Sequence, residues 1–220
     1  MHLRITLALA ALTVSSAAFA QEFIDSDHPD AFQVRYVSNL NLGDSYINIT
    51  NTGTDVASAN SSTKKFGTDK LCINVYAFDP AEELIACCSC TVTPNGLVKL
   101  SVTNDLISNT LTPATPSSIV VKLLATNPTT AFPCDAGNTY SSENLKSGMR
   151  AWGTSLHKNT STTPASIAIT EGAFVYGGLS GDELDHITTF CGFIEANATP
   201  PANSGICKSC TTGGLFGARQ

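Results

Sequence analysis

Eight cysteines, Cys72, Cys87, Cys88, Cys90, Cys134, Cys191, Cys207 and Cys210, constrain this 220-residue chain more than any other feature. What they can do depends on the compartment. Met1 to Arg4 form a short positive region, Ile5 to Val14 an apolar run, and Ala18-Phe19-Ala20 a small-x-small cleavage signal. That pattern predicts a secretory leader over residues 1–20, because the apolar run is too short for a span of roughly 20 residues. No lipidation cysteine follows the cleavage point. All eight cysteines then lie in the exported part, where thiols oxidise, and an even number is compatible with four disulfides and no free thiol. The expected location is secreted, periplasmic or at the cell surface, without membrane insertion.

The formal charge of −6 and a sequence pI of about 5.1 remove any general attraction to nucleic acid or anionic membrane. Charged residues make up only 14% and apolar residues 42%, so the chain can bury a core and is not disordered by composition.

Between Phe32 and Ala173, short β-type runs alternate with Gly, Pro, Asn, Ser and Thr, the rhythm of an antiparallel β-sandwich. Strands are expected at 32–37, 45–50, 71–78, 84–90, 97–102, 118–125 and 150–156, with two short runs around Ile167 and Phe174. Turn chemistry at Asp79-Pro80-Ala81-Glu82 and at Thr93-Pro94-Asn95-Gly96 predicts a three-stranded meander over 71–102. Trp152 is expected in the core, with ligand stacking as the alternative role of its ring. The Ser/Thr/Pro-rich segments 106–117 and 159–165 are expected as surface connections, and residues 21–220 as one domain. A helix is predicted over about 181–197. Ser180 and Glu183 make a capping box, Leu179 and Leu184 a hydrophobic staple, and Leu184, Ile187, Cys191 and Ile194 one buried stripe. Pro200 and Pro201 end it before a cysteine-containing tail, 198–220.

Pairing geometry on the first hairpin leaves alternatives. If Phe78 faces Glu82 or Leu84, Cys72 falls opposite Cys88 or Cys90, at a Cα separation of ~4.5–5.5 Å that a disulfide accepts; an odd register would put it opposite Cys87 or Ser89. The adjacent Cys87 and Cys88 must point to opposite faces of a strand. Cys191 is expected to bond Cys207 or Cys210. A different chemistry is open to the same residues: Cys88-Ser89-Cys90 with Cys207-Lys208-Ser209-Cys210 has the spacing of a Cys₄ zinc site or, for the second motif, a redox dithiol.

No compact catalytic motif occurs. Of the mature histidines His28, His157 and His186, only His186 has acidic neighbours at helical spacing, Asp182 and Asp185, and these read as a solvated face. Ser155 and His157 lack a third group, and the acidic run Asp25 to Asp30 reads as an exposed terminus. Catalytic residues, cofactors and metal ligands are therefore not assigned, and the function expected is non-catalytic binding or structure outside the cell. The ligand or surface it would meet is unknown.

The run Cys72-Ile73-Asn74-Val75-Tyr76-Ala77-Phe78-Asp79-Pro80 and its return strand Cys87-Cys88-Ser89-Cys90 carry a resemblance. Together with Thr93-Pro94-Asn95-Gly96-Leu97, Ala151-Trp152-Gly153-Thr154, Cys191-Gly192-Phe193-Ile194 and the terminal C-x-x-C, the chain resembles a group of uncharacterised exported bacterial proteins. The resemblance implies export and a shared cysteine framework. It implies no activity.

Overall fold

The computed structural model describes residues 23–53, 70–108, 110, 115–128, 134–161, 166–197 and 205–211, so the predicted leader lies outside the described residues. Nine strands follow in order: β1 (Phe32–Val37), β2 (Tyr46–Asn51), β3 (Leu71–Phe78), β4 (Leu84–Val92), β5 (Leu97–Ser101), β6 (Ile119–Thr126), β7 (Met149–Asn159), β8 (Ser166–Ala173) and β9 (Val175–Tyr176). Helices α1 (Gly181–Asn197) and α2 (Lys208–Thr211) close the order. The strands make two antiparallel sheets, β4-β3-β6-β1-β9 and β5-β2-β7-β8. This is the expected β-sandwich-like architecture with a helix near the C-terminus.

Strand parity sets the core. Ile73, Val75 and Ala77 of β3, Val121, Leu123 and Ala125 of β6, and Val37 of β1 form one inner face. Opposite them lie Ile47 and Ile49 of β2, Val98 and Leu100 of β5, and Met149 and Ala151 of β7, all in one buried cluster. The outer face of the five-stranded sheet receives α1 through Leu184, Ile187, Cys191 and Ile194, the predicted stripe, with Thr188 also buried. At the start of α1, the Glu183 amide donates to Ser180 Oγ at 3.1 Å, but the Glu183 carboxylate pairs with Lys122 of β6 rather than returning to the cap. The capping box is therefore half made, and the other half anchors the helix to the sheet.

The meander is not formed. The turn after β4 exists, with the Gly96 amide donating to the Thr93 carbonyl at 2.7 Å, yet β5 pairs with β2 in the other sheet. The end of β2 holds this crossing: Asn51 Nδ2 donates to the Val92 carbonyl and the Asn95 amide to the Asn51 carbonyl. The first hairpin carries a bulge between Ala77 and Phe78, so that Phe78 faces Leu84 while Ala77 faces Ala86. One residue is thereby skipped, and Cys72 faces Thr91 instead of any cysteine.

Two segments expected at the surface are partly packed. Leu106 and Ile107, in a π-helical turn over Val102–Ile107, are buried. The acidic run before β1 is also tied down. Asp25 is buried and accepts from the Leu179 amide, and Asp30 accepts from Arg150 at 2.7 Å and from the Gly148 amide at 3.0 Å.

Candidate functional site

All eight cysteines are paired: Cys72–Cys134, Cys87–Cys191, Cys88–Cys207 and Cys90–Cys210. Cys72 therefore makes no cross-strand bridge, and Cys191 bonds neither tail cysteine. The bulge beside Phe78 accounts for the first difference, and the faces of β4 for the second. β4 is an edge strand whose two faces are tied to different partners, Cys87 to α1 on the outer face and Cys88 and Cys90 to the tail on the opposite one. The tail also pairs with the free edge of β4. The Ser89 amide donates to the Gly205 carbonyl at 2.7 Å, and the Cys207 amide to the Ser89 carbonyl at 3.1 Å. Edge, inner face and outer face of β4 are thus all covered.

The spacing expected of a zinc site does bring sulfurs together. Sγ of Cys90, Cys207 and Cys210 lie within 4.8 Å of one another, as do Sγ of Cys87 and Cys191 and a carboxylate oxygen of Glu195. Here the sulfurs are bonded in pairs, and a disulfide sulfur is not the thiolate that zinc takes.

Over the outer face of the five-stranded sheet sits a polar cluster that sequence reasoning missed. Tyr76, fully buried, donates its hydroxyl to the Ala136 carbonyl at 2.9 Å, and Tyr140 donates to the Asp135 carbonyl at 2.6 Å. Asn74 links Ser89 Oγ and Thr126 Oγ1 across three strands. Burial, and then the neighbouring charge of Asp135, push the Glu195 carboxyl up to about 8. Glu195 reaches this place because Gly137 and Gly205 leave room, a Cβ on Gly137 falling 2.7 Å from Oε2. Native Glu195 thus holds its proton more tightly than the unfolded chain does. Its contribution to stability is full below the ordinary glutamate range and is lost as pH rises through about 8. Urea midpoints measured from about pH 5 to about pH 9 are expected to fall over that window, and Glu195→Gln is expected to flatten the fall. An unchanged slope in the variant contradicts the assignment.

A second unpredicted arrangement lies between the sheets. Arg35 of β1 donates to the Gly172 carbonyl at 2.8 Å and to Ser155 Oγ at 3.2 Å. Gly153 and Gly172 face each other across β7 and β8, and a Cβ on either would fall within 3 Å of the Arg35 side chain. Ser155 is therefore engaged by a cation, while His157 contacts Thr170, so the two make no nucleophile–base pair. His186 packs edge-on against Phe190, among exposed helix residues.

The outer face of the four-stranded sheet differs from its counterpart, because α1 packs on the five-stranded sheet, against β4. Trp152 lies here and not in the core, at 38% exposure, since it is the small Ala151 and Gly153 on either side that face inward. Asn48 is its register partner, and Tyr46, two residues away on β2, shares the face. Asn48 Nδ2 donates to Glu171 at 3.1 Å, and Lys99 Nζ sits 3.9 Å from the centre of the Tyr46 ring. Leu97, Ile167 and Ile169 add exposed apolar surface on the same side. Aromatic rings beside amide, carboxylate and ammonium groups suit contact with a polar molecule that also has an apolar face. Among the described residues no helix is long and apolar enough to cross a membrane. Comparison with protein-family models, with curated proteins and with solved structures finds no match to this chain.

Proposed function

We propose that this chain is an exported, non-catalytic β-domain that serves as a binding or structural module outside the cytosol. Its contact surface is the open face of the four-stranded sheet. The observation that carries this reading is an asymmetry: disulfides, tail and helix are gathered around β4 and the five-stranded sheet, while the opposite face keeps Trp152, Tyr46 and Leu97 exposed. Four disulfides fit an oxidising compartment.

Trp152 is the only tryptophan, so its fluorescence reports on this face alone. Titration with soluble envelope polysaccharides and with peptides is expected to find a ligand that shifts the emission saturably. Trp152→Ala, measured by calorimetry, is expected to weaken that ligand roughly 30-fold or more, as for a central aromatic anchor. Binding that leaves Trp152 emission unmoved and survives Trp152→Ala refutes the assigned face.

A second reading rests on the convergent sulfurs of Cys90, Cys207 and Cys210, which after reduction offer thiolates to a metal or exchange disulfides. Alkylation after mild reduction at a glutathione-like potential separates the two, since a working pair is reduced and takes the label whereas a structural tie stays bonded.

A further inference from the structure

We infer that β8 is a self-association edge, at which a second copy of the chain adds its own β8 antiparallel and joins two four-stranded sheets into one. Edge strands expose a row of backbone donors and acceptors, and folded proteins blunt them. Among the described residues, three of the four edges are blunted. The edge of β4 is covered by Gly205 to Cys207, β5 lies against α2, and β9 is two residues long. β8 is eight residues long, is hydrogen-bonded among the described strands to β7 alone, and is exposed along its length except at Gly172.

Its sequence lacks the usual safeguards. Between Ser166 and Tyr176 there is no Lys, Arg or Pro, and Glu171 is the one charge. Ile167 and Ile169, at 52% and 67% exposure, stand on the same face. This edge is suited to another strand.

The occupant follows from the order of residues. Ser166-Ile167-Ala168-Ile169-Thr170 is nearly palindromic about Ala168. In an antiparallel pair with its two-fold axis at Ala168, each Ile167 faces an Ile169 of the partner and each Ser166 faces a Thr170. Both kinds of cross-strand pair are favourable. Glu171 then falls beyond the first residue of the partner strand, so the two carboxylates do not meet, and each keeps its bond from Asn48. A strand from an unrelated protein would need no such symmetry.

Sedimentation of the full mature chain is expected to show a concentration-dependent monomer–dimer equilibrium. Ile169→Lys is expected to raise its dissociation constant at least about tenfold while leaving the melting temperature of the dilute, monomeric chain unchanged, because Ile169 is exposed in the monomer. A register test stands beside it. Ala168→Cys is expected to form a covalent dimer under mild oxidation, since facing Cα atoms at ~4.5–5.5 Å suit a disulfide, whereas Ser166→Cys faces Thr170 and is expected not to. A wild-type chain that stays monomeric at all concentrations overturns the inference. So does a dimer indifferent to Ile169→Lys, or equal crosslinking at positions 166 and 168.

Discussion

Replacing Cys88, Cys90, Cys207 and Cys210 together by alanine is expected to destabilise the fold by about 5 kcal/mol, whereas removing only Cys90 and Cys210 costs about 2 kcal/mol. The difference comes from nested loops. Taken alone, a bond across 119 or 120 residues closes a loop worth nearly 5 kcal/mol. With Cys87–Cys191 already in place, however, Cys88–Cys207 closes only a ring of roughly 20 residues. Cys90–Cys210 then closes a ring of fewer than about ten. The second and third ties therefore contribute roughly 3 and 2 kcal/mol. For a chain of this length the fourfold variant should melt roughly 10 to 20 °C lower. It should also expose the β4 edge, because Gly205 and Cys207 would no longer be held against Ser89. Equal effects for the two variants, or none, contradict the nesting.

Tyr76→Ala is expected to cost 3 to 5 kcal/mol, comparable to the loss of a buried aromatic ring. The ring lies on the outer face of β3, opposite Cys87, with no exposed surface. Its hydroxyl satisfies the Ala136 carbonyl two residues from Cys134, so it also positions the segment that the Cys72–Cys134 bond ties down. Tyr76→Phe keeps the ring and loses that one donor, for about 1 to 2 kcal/mol. Burial holds the phenol well above its ordinary pKa, so it remains a donor throughout the stability range. Chemical denaturation of the two variants checks the ordering, and a phenylalanine variant as damaged as the alanine one sinks it.

The strands were legible in the sequence because turn residues separate short β-rich runs, and the starts and ends at Phe32, Val37, Leu71 and Phe78 coincide with expectation. Sheet membership was not. A turn such as Thr93 to Gly96 specifies a reversal of the chain, not whether the strands that it joins share hydrogen bonds, and Asn51, some forty residues earlier, holds the crossing. The bulge beside Phe78 was equally hidden, and it moved Cys72 out of register with every cysteine of β4.

The α1 stripe was visible because period 3.6 needs no distant information, and it marked Cys191 as buried. Its partner was decided by which face of β4 the helix covers. Trp152 was misplaced for a related reason. Apolar bulk argued for the inner face, yet Arg35 crosses there and requires Gly153 and Gly172 to be small. Two glycines in neighbouring late strands were the available signal, and only the pairing of β7 with β8 makes them adjacent. Glu195 and Asp135, sixty residues apart, gave none.

Sulfur in this protein ties helix and tail to one edge strand. Disulfide mapping of the unreduced, unmodified protein, with stepwise partial reduction to separate Cys87 from Cys88, tests it directly. The expected map is Cys72–Cys134, Cys87–Cys191, Cys88–Cys207 and Cys90–Cys210 with every thiol blocked. Free thiols among Cys88, Cys90, Cys207 and Cys210, or a Cys191 bonded to the tail, would contradict it.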